Sequence, residues 1–132
     1  MLKEFHLSTP AQTAFLDITA EVQRVVKGSS VTTGTCFVFV PHTTAAVTIN
    51  ENADPSVRKD IIAALDRIVP ENASYRHAEG NSPAHVKTSL IGNFETILVK
   101  RGSLLLGVWQ GIYFCEFDGP RQRRVIVKIA KD

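Results

Sequence analysis

Cysteine is scarce: the chain of 132 residues has two, Cys36 and Cys115, each inside an apolar run, CFVFV and IYFCEF. Thiols so placed are expected to be buried and free. That argues against a disulfide framework, a zinc knuckle or a redox pair, and points to a reducing compartment. Excess charge is missing too. Fifteen Lys and Arg against thirteen Asp and Glu leave a net +2, too little to draw the whole chain onto nucleic acid or an anionic membrane. Anion recognition must then be local, and the densest basic run, RQRR at 121–124, reads as a solvated turn. No apolar run approaches the roughly 20 residues of a membrane span. The start, MLKEFHLS, has charges where a signal peptide needs an apolar core. Repeats, low-complexity tracts and interdomain linkers are absent. The expectation is one soluble, cytoplasmic domain over residues 1–132, with neither nucleic acid nor membrane as partner.

What is present is alternation and punctuation. LKEFHLST predicts a strand that continues to pair with residues 12–17, with His6 on its surface. Asp17 or Thr19 can cap a short helix with Ile18, Val22, Val25 and Val26 on one face, ended by Gly28. TGTCFVFVPH reads as a strand covered on both sides, which Pro41 stops, delivering His42, Thr43 and Thr44 to its end before a second strand at AAVTIN. Asp54 and Pro55 start a helix running to about Val69, with Val57, Ile61, Leu65 and Ile68 as its apolar stripe and Pro70 as its stop. ENASYRHAEGN is a longer connection than a bare link requires. Ser82 as cap and Pro83 then start a short helix closed by Gly92. ETILVKRG, LLLGVWQGIYFCEFDG and RRVIVKIA read as three or more strands, with Trp109 packing and Gln110 hydrogen-bonding at a strand start.

Three of the four histidines, His42, His77 and His85, fall at element ends or in the long polar loop. Imidazole suits such places because near neutrality it can ligate a metal or move a proton. With Ser82 as cap, His85 lies in the first helical turn, where the helix dipole favours the neutral, metal-binding ring. The same turn would offer free N–H groups at Ala84 and His85 to an anion, with Gly80 and Asn81 giving a ligand room. No HExxH, CxxC pair, phosphate loop or nucleophile elbow accompanies them. Each residue also has an ordinary explanation: His42 a polar strand end, His77 loop surface, His85 a helix start, Asp54 a cap. Glu51, between two asparagines, can be a general base, an orienting residue or part of a solvated turn.

HTTAAVTINENADP, HAEGNSPAHVKTSLIG and LGVWQGIYFCEFDGPR together resemble the signature stretches of the YjbQ family, also called the secondary thiamine-phosphate synthase family, over nearly the whole chain. The resemblance implies an α+β fold of two packed, mostly antiparallel sheets with a Greek-key element and about three helices, assembled as a homotrimer. It also implies a site in which His42, His77 and His85 hold a divalent metal, zinc before magnesium, beside an anion. The implied activity joins a pyrimidine diphosphate to a thiazole phosphate, forming thiamine phosphate and releasing pyrophosphate. Lys87, Arg121 and the helix start are the candidates to stabilise that leaving group.

The leading expectation is a metal-dependent enzyme on a small phosphorylated substrate. His42, His77 and His85 bind the ion, Glu51 and His42 serve catalysis, and Asn81, Lys87 and Arg121 bind the anion. Two alternatives stand beside it: a metal-dependent hydrolase of a phosphorylated metabolite, and a non-catalytic oligomer that binds a metal or small anion.

Overall fold

In the computed structural model, which describes residues 1–132, the chain runs through β1 (Leu2–Ser8), β2 (Ala14–Asp17), α1 (Thr19–Gly28), β3 (Thr33–Phe39) and β4 (Ala45–Glu51). It continues through α2 (Pro55–Ile68), α3 (Ser82–Ile91), β5 (Phe94–Lys100), β6 (Ser103–Leu104), β7 (Gln110–Glu116) and β8 (Gln122–Lys131). The strands form two sheets, β1-β8-β3-β5-β6 and β2-β7-β4. Every pairing is antiparallel, giving the α+β two-sheet architecture with three helices. The first four strands alternate between the sheets, so β1 pairs with β8 and not with residues 12–17, of which Ala14–Asp17 pair with β7.

Period-2 alternation fixes which face of each strand turns inward. Cys36 and Val38 of β3, Ile97 and Val99 of β5, and Val125, Val127 and Ile129 of β8 meet Val47, Ile112 and Phe114 of the smaller sheet in one core. Val22 and Val26 of α1 complete that core. A second cluster, including Phe15, Ala46, Tyr113, Cys115, Leu65 and Ala84, lies where α2 and α3 cover the other face of the smaller sheet. The doubly covered strand is therefore β7, whose Ile112 to Glu116 are all buried. β3 was expected in that position, but no helix lies over the outer face of the larger sheet, and Phe39 is 41% exposed there.

The helix boundaries follow local chemistry. Asp54 caps α2 by accepting from the Ser56 N–H at 2.9 Å, with Pro55 at the first position. α1 has Ile18 at its cap position instead of Asp17 or Thr19. Asp17 bonds the Thr19 N–H and hydroxyl, and the Thr19 oxygen accepts from Ile112, tying the helix start to β7. The cap position of α3 is Asn81, one residue before the expected Ser82. Residues 105–109 form no strand, and Trp109 is 61% exposed instead of packed. Gln110 does bond at the strand start, its Oε1 accepting from Gly107 at 2.8 Å. No helix is long and apolar enough to cross a membrane.

Candidate functional site

Four segments meet at one end of the two sheets and enclose an open cavity of about 780 Å³. Pro41 ends the pairing of β3, and residues 41–44 carry His42, Thr43 and Thr44 into the wall. The long loop supplies His77 and Glu79, the start of α3 supplies Asn81 and His85, and the β7–β8 turn with the first residues of β8 supplies Asp118, Arg121 and Arg123. Asn93 secures the first segment: its Nδ2 donates to the carbonyls of Val40, His42 and Ala45 at 3.1, 2.8 and 3.1 Å.

Beneath the cavity lies a buried ion pair. Glu116 is fully buried and accepts from Arg123 Nε at 2.8 Å and from its second terminal nitrogen at 2.6 Å. Thr9 Oγ1 and the N–H groups of Phe117 and Asp118 also donate to it. Burial would raise the Glu116 pKa, but the bonds from Arg123, Asp118 and Thr9 hold it below the ordinary 4.5. Arg123 also donates to Thr44 Oγ1 at 2.8 Å, fixing that hydroxyl at the cavity wall. The RQRR run was expected to be solvated and RRVIVKIA to be a strand; Arg123 does lie in β8, but it is buried and shares the inward face with Val125, Val127 and Ile129. That parity, and a glutamate inside an otherwise apolar strand, were the signals available in the sequence for this pair.

Asp118 links the turn to α3. Its Oδ2 accepts from Asn81 Nδ2 at 2.9 Å and from Arg121 at 3.0 Å, while its carbonyl accepts from Arg121 Nε at 2.7 Å. The Asn81 amide is oriented by that carboxylate, which leaves its Oδ1 without a partner. Gly80, with φ of 78°, turns the loop into α3 in a conformation that side chains disfavour.

His42, His77, His85, Asn81 and Arg121, far apart in the chain, all line this cavity. His77 and His85 stand edge to face with ring centroids 5.3 Å apart. The other expected site residues are elsewhere. Glu51 ends β4, whose seven residues put it about 20 Å from the His42 end, and its Oε2 accepts from the Asp54 N–H. Lys87 is buried at 3% exposure, its Nζ bonded to Asp66 of α2 and lying 5.8 Å from the Phe117 ring centroid. It joins two helices and does not reach the cavity. Nor does the start of α3 offer free N–H groups at Ala84 and His85, because both donate to the Asn81 carbonyl.

A three-histidine ion site does not fit this arrangement. His42 Nε2 accepts from the Arg124 backbone N–H at 3.0 Å, so its lone pair is engaged. Of the two cavity carboxylates, Asp118 is engaged through Oδ2 by Asn81 and Arg121, and Glu79 Oε2 stands 4.0 Å from His77 Nε2. No group of three or more His, Cys, Asp or Glu side chains stands ready to hold a metal. Burial first, then the Arg123 guanidinium, lowers the His42 pKa from its ordinary 6.5, so the ring is neutral near pH 7.

The family model described as UPF0047 protein YjbQ-like matches residues 3–132. A UPF0047 protein of Methanocaldococcus jannaschii is 49% identical over all of this chain and 96% of its own. The UPF0047 protein YugU of Bacillus subtilis is 46% identical, covering 98% of each chain. Among solved structures, an uncharacterised conserved protein of the YjbQ/UPF0047 family from Clostridium acetobutylicum superposes with a TM-score of 0.95 at 52% identity, over 97% of this chain and 99% of that one. A YbjQ-like protein of unknown function from Sulfolobus solfataricus does so with 0.96 at 31% identity, over 100% and 97%.

Proposed function

The chain belongs to the UPF0047 family of YjbQ-like proteins, and from that membership together with its cavity we propose an enzyme that acts on a small phosphorylated metabolite. One observation carries the reading: three imidazoles, Asn81 and Arg121 line a single open cavity of about 780 Å³, large enough for a metabolite and not only for a bare anion. Arg121 and the imidazole N–H groups supply donors for phosphoryl oxygens. His77 and His85, side by side, supply nitrogen bases that can pass a proton. In the transfer that yields thiamine phosphate, those donors would take up the charge on the departing diphosphate. Any divalent ion the reaction uses enters with the diphosphate in this reading, since the three histidines do not form its site.

The test is product analysis by mass spectrometry. The protein is incubated with the pyrimidine diphosphate and thiazole phosphate pair, and with a panel of phosphorylated metabolites, each with and without added divalent ions. Turnover that falls about 100-fold or more in His85→Ala is expected. Tight retention of a ligand without turnover of any compound would instead identify a non-catalytic binding protein.

Self-association as a homotrimer is part of the same proposal. It is supported by the outer face of the larger sheet, where Leu2, Phe39, Phe94 and Leu98 are 67, 41, 52 and 58% exposed. Phe37 and Phe94 stack there at 5.8 Å. An apolar patch of this kind on a sheet face is characteristic of a protein–protein contact.

A further inference from the structure

His42 occupies a place that backbone pairing leaves open. The β3–β8 ladder ends with Phe39 opposite Ile126, and beyond it the Arg124 N–H has no strand partner on that side. His42 Nε2 takes the vacant role, accepting from Arg124 at 3.0 Å. A backbone N–H can only donate, so the lone pair on Nε2 is committed, and a neutral imidazole then carries its one proton on Nδ1. Nδ1 makes no hydrogen bond within the chain and is not among the buried atoms that lack a partner, so it is accessible, on a residue that lines the cavity. Ligation of an ion through Nδ1 would strip the ring of both protons, and ligation through Nε2 would orphan a backbone donor.

From this geometry we infer that His42 is a fixed Nδ1–H donor that receives an oxygen of the phosphorylated ligand, and is not a metal ligand. The inference rests on the anion-cavity reading for its ligand but on the Arg124 bond for its tautomer. Three features hold the donor in place. The Asn93 amide clamps the His42 carbonyl at 2.8 Å, the His42 N–H donates to the Val40 carbonyl at 2.9 Å, and burial beside Arg123 disfavours the charged ring. The ring therefore meets a ligand with its donor already aimed, which spares the reorganisation a mobile side chain would need.

The experiment uses the wild-type protein with ¹⁵N-labelled histidine and long-range proton–nitrogen spectra, titrated separately with inorganic phosphate and with zinc. The expected spectrum shows the Nδ1–H tautomer at His42, a phosphate-dependent shift of that nitrogen, and the same tautomer in the presence of zinc. His42→Asn places an amide N–H where Nδ1–H stood and is expected to keep phosphate affinity within about threefold, while His42→Ala weakens it about tenfold or more. An Nε2–H ring, or zinc that moves both His42 nitrogens and binds about tenfold more weakly to His42→Ala, overturns the assignment. Phosphate that binds while the ring is Nε2–H defeats this inference alone. Absence of phosphate binding with the Nδ1–H tautomer intact defeats the anion-cavity reading, and with it the donor's role.

Discussion

Glu116 and Arg123 show how a single pair of residues builds a floor for the cavity. Both are buried, at 0 and 6% exposure, so removing one charge leaves the other desolvated and alone. Arg123→Met is expected to lower unfolding free energy by about 3–5 kcal/mol, and Glu116→Leu combined with Arg123→Met to lose far less, as urea denaturation would read. Acid acts on the same pair. The Glu116 pKa is held below its ordinary 4.5, so its contribution is fully present above that value and disappears as pH falls through the lower folded value. Thermal melts should therefore worsen below about pH 4.5 in the wild type and respond less in the double variant. The cysteines behave as their apolar settings in the sequence imply. Burial pushes the Cys36 thiol up to about 12 and that of Cys115 well above 9.0. Neither should react with iodoacetamide in the native protein near pH 8, and both should react in denaturant.

Elements were legible where the signal is local. Asp54-Pro55 marked the start of α2, Gly92 the end of α3, and alternation marked β8. Partners were not legible, because pairing is decided by which faces can be buried together. CFVFV looks doubly covered, yet α2 and α3 lie over the smaller sheet and leave Phe37 and Phe39 on an outer face. Lys87 illustrates the same limit. Its position in a polar-rich motif suggested an anion ligand, whereas the helix turns its ammonium group toward Asp66. Lys87→Met should lower the melting temperature while leaving phosphate affinity within about twofold in a calorimetric titration. A tight approach in the β7–β8 turn gives a further prediction. A Cβ on Gly119 would collide with the Ala11 carbonyl and come within 2.8 and 2.9 Å of Glu116 and Thr9. Gly119→Ala should therefore cost about 1–3 kcal/mol by chemical denaturation.

At the scale of the whole molecule, two faces account for its proposed behaviour: a polar cavity at one end of the sheets and an apolar outer sheet. Phe94→Asp is expected to shift the proposed trimer toward monomer in light scattering while the chain keeps its fold, because Phe94 is 52% exposed and its ring stacks on Phe37 of the outer face, outside both buried clusters. The convergence of His42, His77 and His85 could be suspected from their places at element ends. The exclusion of Glu51 could not, since only the run of β4 sets its distance from the cavity. The chemistry of His42 was hidden for a similar reason: its partner is a backbone N–H 82 residues away along the chain.

The most direct measurement is a phosphate titration followed on the imidazole carbon–proton signals of all four histidines. A shared cavity predicts that His42, His77 and His85 shift along one saturation curve while His6, exposed on β1, stays still. Separate curves for the three, or a His6 response equal to theirs, would contradict it.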